Sequence, residues 1–127
     1  MSRIRYIYAV ELLPGAEAGN HYHPRDESGK GTKEEIFYCP PGQRIKIFLE
    51  DPKTKRKQTV VLSSKFGDEF TEFVCIKPGV AHTVKNEKSL LIRLINKVFK
   101  SVGVASVIVL SDIEDHNPDH DIAYPVI

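Results

Sequence analysis

Residues 15–23 read GAEAGNHYH and residues 78–86 read PGVAHTVKN, and these two stretches decide the fold. His21 and His23 form a His-x-His pair in an extended segment. Side chains on a strand alternate faces with period two, so both rings point the same way and Tyr22 points the other. Gly15 suits the turn before this strand. Pro78-Gly79 makes a tight turn that delivers His82 at the start of another strand, with Asn86 four places on. Between them, Glu35 opens a strand on which Glu35, Phe37 and Cys39 share a face, and Gly42 closes its turn. A His-x-His pair alone is more simply read as two surface or core histidines satisfied by hydrogen bonds. The ordered set His21, His23, Glu35 and His82 is a metal-ligand pattern. Imidazoles with one carboxylate suit a borderline divalent cation: Zn, Fe, Mn, Ni, Co or Cu. Such a set leaves coordination positions open, which Lewis-acid chemistry needs.

Outward from these stretches, the apolar residues come in short runs of β-branched and aromatic type, which predicts strands. The runs are Ile4–Leu13, Asn20–His23, Glu35–Cys39, Arg44–Glu50, Gln58–Leu62, Thr71–Ile76, His82–Asn86, Leu90–Phe99 and Val104–Leu110. Pro40-Pro41-Gly42 ends one of them, and Asp51-Pro52-Lys53-Thr54 turns a hairpin. No amphipathic helix is expected. Many short strands at near-regular spacing predict an all-β barrel or sandwich. Pro24–Lys33, polar and rich in glycine and charge, reads as a loop inserted at the barrel mouth. Residues 111–127 read as an extended tail that docks either on the barrel or on a neighbour.

The chain has 127 residues, enough for a single domain with a buried core. Its formal charge of +1 gives no reason to expect a nucleic-acid or membrane-surface partner. Cys39 and Cys75 are too few for a disulfide scaffold and read as reduced core thiols of a cytoplasmic protein. Arg3, Arg5, Ile7–Leu13 and Ala16-Glu17-Ala18 imitate a signal peptide, but the apolar run is short and broken by Glu11. Phe37, Phe48, Phe73 and Phe99 are expected in the core, and the Lys53–Lys57 run at a solvated hairpin tip. His116 and His120 are expected to be solvated in the tail.

The two stretches resemble the paired motifs of the cupin superfamily, G-x5-H-x-H-x3–4-E-x6-G and G-x5-P-x-G-x2-H-x3-N. Gly15, His21, His23, Glu35 and Gly42 fit the first; Gly79, His82 and Asn86 fit the second. The resemblance implies a double-stranded β-helix, a jelly-roll-like barrel, over residues 1–127. It departs in the 11 residues between His23 and Glu35, where the family has three or four. Glu27 stands at the uninserted spacing and Glu34 adjoins Glu35, so three glutamates compete. Glu35 is preferred, because only it is followed by strand and glycine at family spacing. Thr71 and the late Pro78 replace motif residues without removing a ligand.

Gly19-Asn20-His21-Tyr22-His23 also looks like the corresponding segment of the cupin nucleotide-sugar 3,5-epimerases and ketoisomerases. That resemblance implies a 4-keto nucleotide sugar, or a similar small carbohydrate, as the small-molecule ligand. It implies proton transfer beside the ketone, with His21 and His82 as catalytic histidines and His21 as the base. A metal-bound His21 has no free lone pair, so the two roles conflict. These epimerases use a tyrosine acid after the second histidine segment, and this chain has no tyrosine between Asn86 and Tyr124. The alternatives are a metal-dependent dioxygenase and a non-catalytic sugar binder. The strand Ile4–Leu13, apolar on both faces, predicts a homodimer.

Overall fold

The computed structural model describes residues 4–24, 33–63, 72–112 and 121–126. Its strands are β1 (Tyr6–Leu12), β2 (Glu17–Tyr22), β3 (Glu35–Tyr38), β4 (Arg44–Glu50), β5 (Lys57–Ser63), β6 (Phe73–Ile76), β7 (Ala81–Lys85), β8 (Ala105–Ser111) and β9 (Ile122–Ala123), with one helix, α1 (Leu90–Val98), before β8. Alternation makes the sheets two-faced. Ala105, Val107, Val109 and Ser111 turn inward from β8, and Ile45 and Ile47 from β4. All pairings among the described strands are antiparallel. One sheet runs β1-β8-β3-β6 and the other β5-β4-β7-β2-β9. Among the described strands, only the β4–β5 hairpin stays within one sheet; every other connection crosses to the opposite sheet. That winding is the expected double-stranded β-helix. Leu12, Phe37, Ile45, Ile47, Leu62, Ile76, Val84 and Val107 fill the space between the sheets. Burial of each stabilises by about 1.5–3 kcal/mol before entropy is counted.

Asn86 ties the barrel's far end. Its buried amide donates to Leu12 O at 3.0 Å and Gly103 O at 2.7 Å, joining the turns that follow β1 and α1. The structure thus gives this motif residue an architectural position, away from the histidines.

Three expectations need correction. Leu90–Phe99 is mostly helix, not strand. Ser89 caps it, its hydroxyl accepting from Ile92 N at 3.5 Å. Asn96 closes the far end by donating to Lys100 O at 2.6 Å and Val102 O at 2.8 Å. Ile92 packs so close to Gly103 that a Cβ there would lie 2.2 Å from Ile92 Cγ2. Cys75 is exposed, on the outward face of β6, whereas Cys39 is buried. Phe73 and Phe99 are also largely exposed, because one faces outward from an edge strand and the other caps the helix on its outer side. Phe37 lies in the core as expected, and Lys53–Lys57 form an exposed tip.

Candidate functional site

β2 carries a bulge immediately before the histidine pair. Its pairing with β7 shifts register between Gly19 and His21. Asn20 sits there at φ 55°, a conformation asparagine tolerates. Two bonds lock it: Asn20 N donates to Thr83 Oγ1 and Thr83 Oγ1 donates to Asn20 Oδ1, both at 2.8 Å. The bulge re-aims the strand so that His21 faces His82 across the β2–β7 ladder. The Pro78-Gly79 turn is fastened to the same strand, Gly79 N donating to His23 O at 2.8 Å.

The three imidazoles converge. One nitrogen from each of His21, His23 and His82 lies within 4.8 Å of the others. The rings stand 4.7–5.1 Å apart, centroid to centroid. Glu35 enters from the opposite sheet. Its Oε1 lies 2.6 Å from His23 Nε2 and 3.9 Å from His82 Nε2, so it adjoins two of the three rings. Glu34 points away and accepts from Lys77 Nζ at 2.9 Å and Cys75 Sγ at 3.1 Å. Glu27 lies outside the described residues, as do His116 and His120.

Three further residues reach this cleft, and sequence reasoning missed all of them. Asp121, from the tail, lies 2.8 Å from His23 Nδ1 and 3.6 Å from His21 Nδ1. Its neighbours Ile122 and Ala123 pair with β2, and Tyr124 N donates to Asn20 O at 2.8 Å, so the tail docks on the barrel. Tyr8, on β1, donates its hydroxyl to Glu35 Oε2 at 2.8 Å. Lys33, the last residue of the expected loop, is buried, with its ammonium 3.8 Å from Glu35 Oε2. Period-two alternation puts Tyr8 on the inner face of its strand; nothing in the local sequence marked Asp121 or Lys33. The cleft so lined encloses about 210 Å³.

Burial dominates the electrostatics. It pushes His82 down to about 4 and lowers His21 as well. Burial also opposes ionisation of Glu35, but the His23 hydrogen bond and charge, Tyr8 and Lys33 outweigh it and hold the carboxyl at about 2. Burial works against a charged His23 too; hydrogen bonds to Glu35 and Asp121 win and raise it. Burial and the Glu35 charge raise Tyr8, so its phenol keeps its proton.

The donor set fits a divalent cation. His82 Nδ1 faces Val80 O at 3.1 Å and His23 Nδ1 faces Asp121, which leaves the Nε2 atoms of both rings for the cleft. Outer partners of this kind fix tautomer and ring orientation in metal sites. Donors about 2.0–2.1 Å from one ion lie within about 4.2 Å of each other, so small ring movements would close the set. A cation would displace the proton shared by His23 and Glu35.

No protein-family model matches the sequence, and no curated protein matches it significantly. Solved structures do match. The capsular polysaccharide assembling protein CapF of Staphylococcus aureus superimposes with TM-score 0.66 at 19% identity, over 94% of this chain and 27% of that one. The chain has the cupin fold. The TDP-fucose 3,4-ketoisomerase of Campylobacter jejuni follows, at TM-score 0.62 and 18% identity, over 94% of this chain and 67% of that one. The dTDP-4-dehydrorhamnose 3,5-epimerase of Sulfolobus tokodaii gives TM-score 0.62 and 18% identity, over 95% and 58%. The chain therefore spans about a quarter of the staphylococcal protein.

Proposed function

We propose that this chain is a metal-binding cupin that epimerises or isomerises a 4-keto nucleotide sugar, or a similar small carbohydrate, by proton transfer beside the carbonyl. The observation that carries the reading is the convergence of His21, His23 and His82 with buried Glu35 and Lys33 and half-buried Tyr8 in one cleft. The likeness in fold to a 3,4-ketoisomerase and a 3,5-epimerase supports it, though fold alone does not assign chemistry.

A carbon acid beside a ketone needs a base, a positive group near the oxygen that gains charge, and an acid to return a proton. Lys33 is a buried cation on the cleft wall, placed to balance an enolate oxygen. Tyr8, held protonated beside Glu35, is the acid. When bound by His21, His23 and His82 with Glu35, a divalent cation would supply Lewis-acid stabilisation of the same oxygen. His21 is the base of the metal-free protein: burial keeps it neutral, and Asp121 stands behind its Nδ1. As a metal ligand it would lose that role, because one lone pair cannot serve both. At about 210 Å³ the cleft is smaller than the ~300–1,000 Å³ of drug-sized ligand sites, so it takes one sugar ring and leaves the nucleotide over the mouth.

Elemental analysis of the purified protein comes first. Metal-loaded and chelator-stripped protein are then incubated in deuterated water with 4-keto sugar nucleotides, and exchange at C3 and C5 is followed by NMR. Exchange that survives stripping makes His21 the base; exchange that requires metal makes it a ligand. Absence of exchange in both forms with several such sugars ends the proposal.

A further inference from the structure

Helix α1 has no part in the cleft, and its polarity is inverted. Ile92 and Asn96 turn toward the barrel, while Leu90, Leu91, Leu94, Val98 and Phe99 face outward at 49–74% exposure. An ordinary surface helix buries its apolar stripe. Lys88, Arg93, Lys97 and Lys100 flank the ridge, all exposed, and residues 88–104 hold no acid. The nearest one, Glu87, stands before the helix beside Lys46 at 3.4 Å.

We infer that α1 docks this protein peripherally on an anionic lipid bilayer. Charge selects the occupant. A second copy related by a two-fold axis would set this ridge against itself, and residues 88–104 offer no acid to pair with its cations. A nucleic acid would satisfy the cations and leave the leucines in water. An anionic bilayer satisfies both, phosphates at the rim and acyl chains beneath, as interfacial helices with basic flanks do. No described helix is long and apolar enough to cross a membrane, so the association is one of lying on the surface.

The placement leaves the cleft free. β7 carries His82 near its start and Asn86 just beyond its end, roughly 13 Å away at 3.3 Å per residue. α1 follows Asn86, so docking holds the end of the barrel remote from the histidines. The modest net charge that gave no reason to expect a membrane partner averages over the chain; α1 concentrates cations where the apolar residues are.

The test is co-sedimentation of the full chain with phosphatidylcholine vesicles containing about one-third phosphatidylglycerol. Binding is expected at about 0.1 M salt and release at about 1 M, as the Debye length falls from ~10 to ~3 Å. Pure phosphatidylcholine should bind at least tenfold more weakly. L94S/V98S should lose at least roughly tenfold, since two buried apolar side chains are removed. K97E/K100E should lose more than roughly 25-fold, about fivefold for each cation removed and more for the repulsion of each added carboxylate. The chain has no tryptophan, so L94W gives a single indole whose emission should shift to the blue on anionic vesicles. Failure of the wild type to sediment with anionic vesicles overturns the proposal, as does full binding by both variants. So does light scattering in which L94S/V98S lowers the mass of a larger assembly, which would make the ridge a contact between copies.

Discussion

Replacing Asp121 tests the site without touching a ligand candidate. The Asp121 carboxylate accepts a hydrogen bond from Nδ1 of His23 at 2.8 Å and lies 3.6 Å from Nδ1 of His21. One of the three convergent rings is therefore hydrogen-bonded to this side chain, and a second stands beside it. Loss of an outer partner on a metal-binding histidine lowers affinity about 10–100-fold, or roughly 1.4–2.7 kcal/mol. Asp121→Asn keeps the shape and one acceptor but removes the charge, so it should sit near the tenfold end. Asp121→Ala removes both the hydrogen bond to His23 and the carboxylate beside His21, and should sit nearer the hundredfold end. Zinc affinity is measured by competition with a chromophoric chelator on protein freed of metal. Tyr124→Phe is the control. It breaks the hydroxyl bond from Tyr124 to Glu50 and the one Lys55 donates to Tyr124, loosening the tail without touching a histidine. Wild-type zinc affinity in Asp121→Ala would refute the role given to Asp121. An equal loss in Tyr124→Phe would show that tail docking, not the carboxylate, is what counts.

Asn86→Ala leaves the carbonyls of Leu12 and Gly103 unpaired in the interior, at about 1–3 kcal/mol each. Thermal unfolding should fall by roughly 10 °C, and an unchanged Tm would refute the architectural role. At Gly19→Ala a Cβ would stand 2.6 Å from His82 O at φ 118°, so a loss of roughly 2 kcal/mol or more is expected in urea titrations, together with weaker zinc binding. In metal-free protein, His82 titrates at about 4 when folded and near 6.5 when unfolded, so the unfolded chain binds the extra proton between those values. Stability should fall by about 3 kcal/mol from pH 6.5 to 4, and Glu35 adds a further loss as pH falls from 4.5 toward 2. His23, raised when folded, works the other way: its contribution is present below pH 6.5 and is lost as pH rises through its folded value. A Tm that is flat in acid, or unaltered in its pH profile by His82→Gln, would contradict this account. Ile7 is 70% exposed on β1, an edge strand, and a homodimer through that edge is expected; light scattering at the 14.3 kDa of a single chain would refute it.

The features legible in the sequence were those that local geometry writes. Two histidines a residue apart on a strand must share a face, and a Pro-Gly turn must deliver His82 at a strand start. Glu35 was separable from Glu34 through the family pattern, since it alone is followed by strand and glycine at that spacing, and the structure ties Glu34 to Lys77 and Cys75 instead. Asp121 was not legible. It stands 98 residues from His23, and what brings it there is backbone pairing of a two-residue strand with a bulged β2. Lys33 was taken for loop because its neighbours are polar, yet its own ammonium turns in toward Glu35. Helix α1 escaped for a different reason. Leucine, isoleucine, valine and phenylalanine in close succession read as strand, and a search for a stripe facing the core cannot find one that faces out. Ser89 and the inward pair Ile92 and Asn96 were the available signals. They are spaced at three and four residues, as a helix requires and a strand does not.

The missing tyrosine shows how far a family pattern reaches. The resemblance placed the acid on a strand after His82, and no tyrosine stands there. In the barrel, however, β1 lies beside β8 and β8 beside β3, which carries Glu35. A side chain on the inner face of β1 therefore reaches the same cleft from the first strand of the chain. Tyr8 does so, and its hydroxyl meets the oxygen of Glu35 that does not face His23. The carboxylate thus joins the phenol on one side of the cleft to the imidazoles on the other. Sequence order is a poor guide to such a group, because a rolled sheet brings strands from both ends of the chain to one wall. What the proposed proton transfer requires is a protonated donor within reach of the sugar, whichever strand supplies it. If Tyr8 is that donor, Tyr8→Phe should abolish turnover while leaving zinc affinity within a few-fold of wild type, since the ring touches Glu35 and none of the histidines. Turnover that survives in Tyr8→Phe would assign the acid to another group.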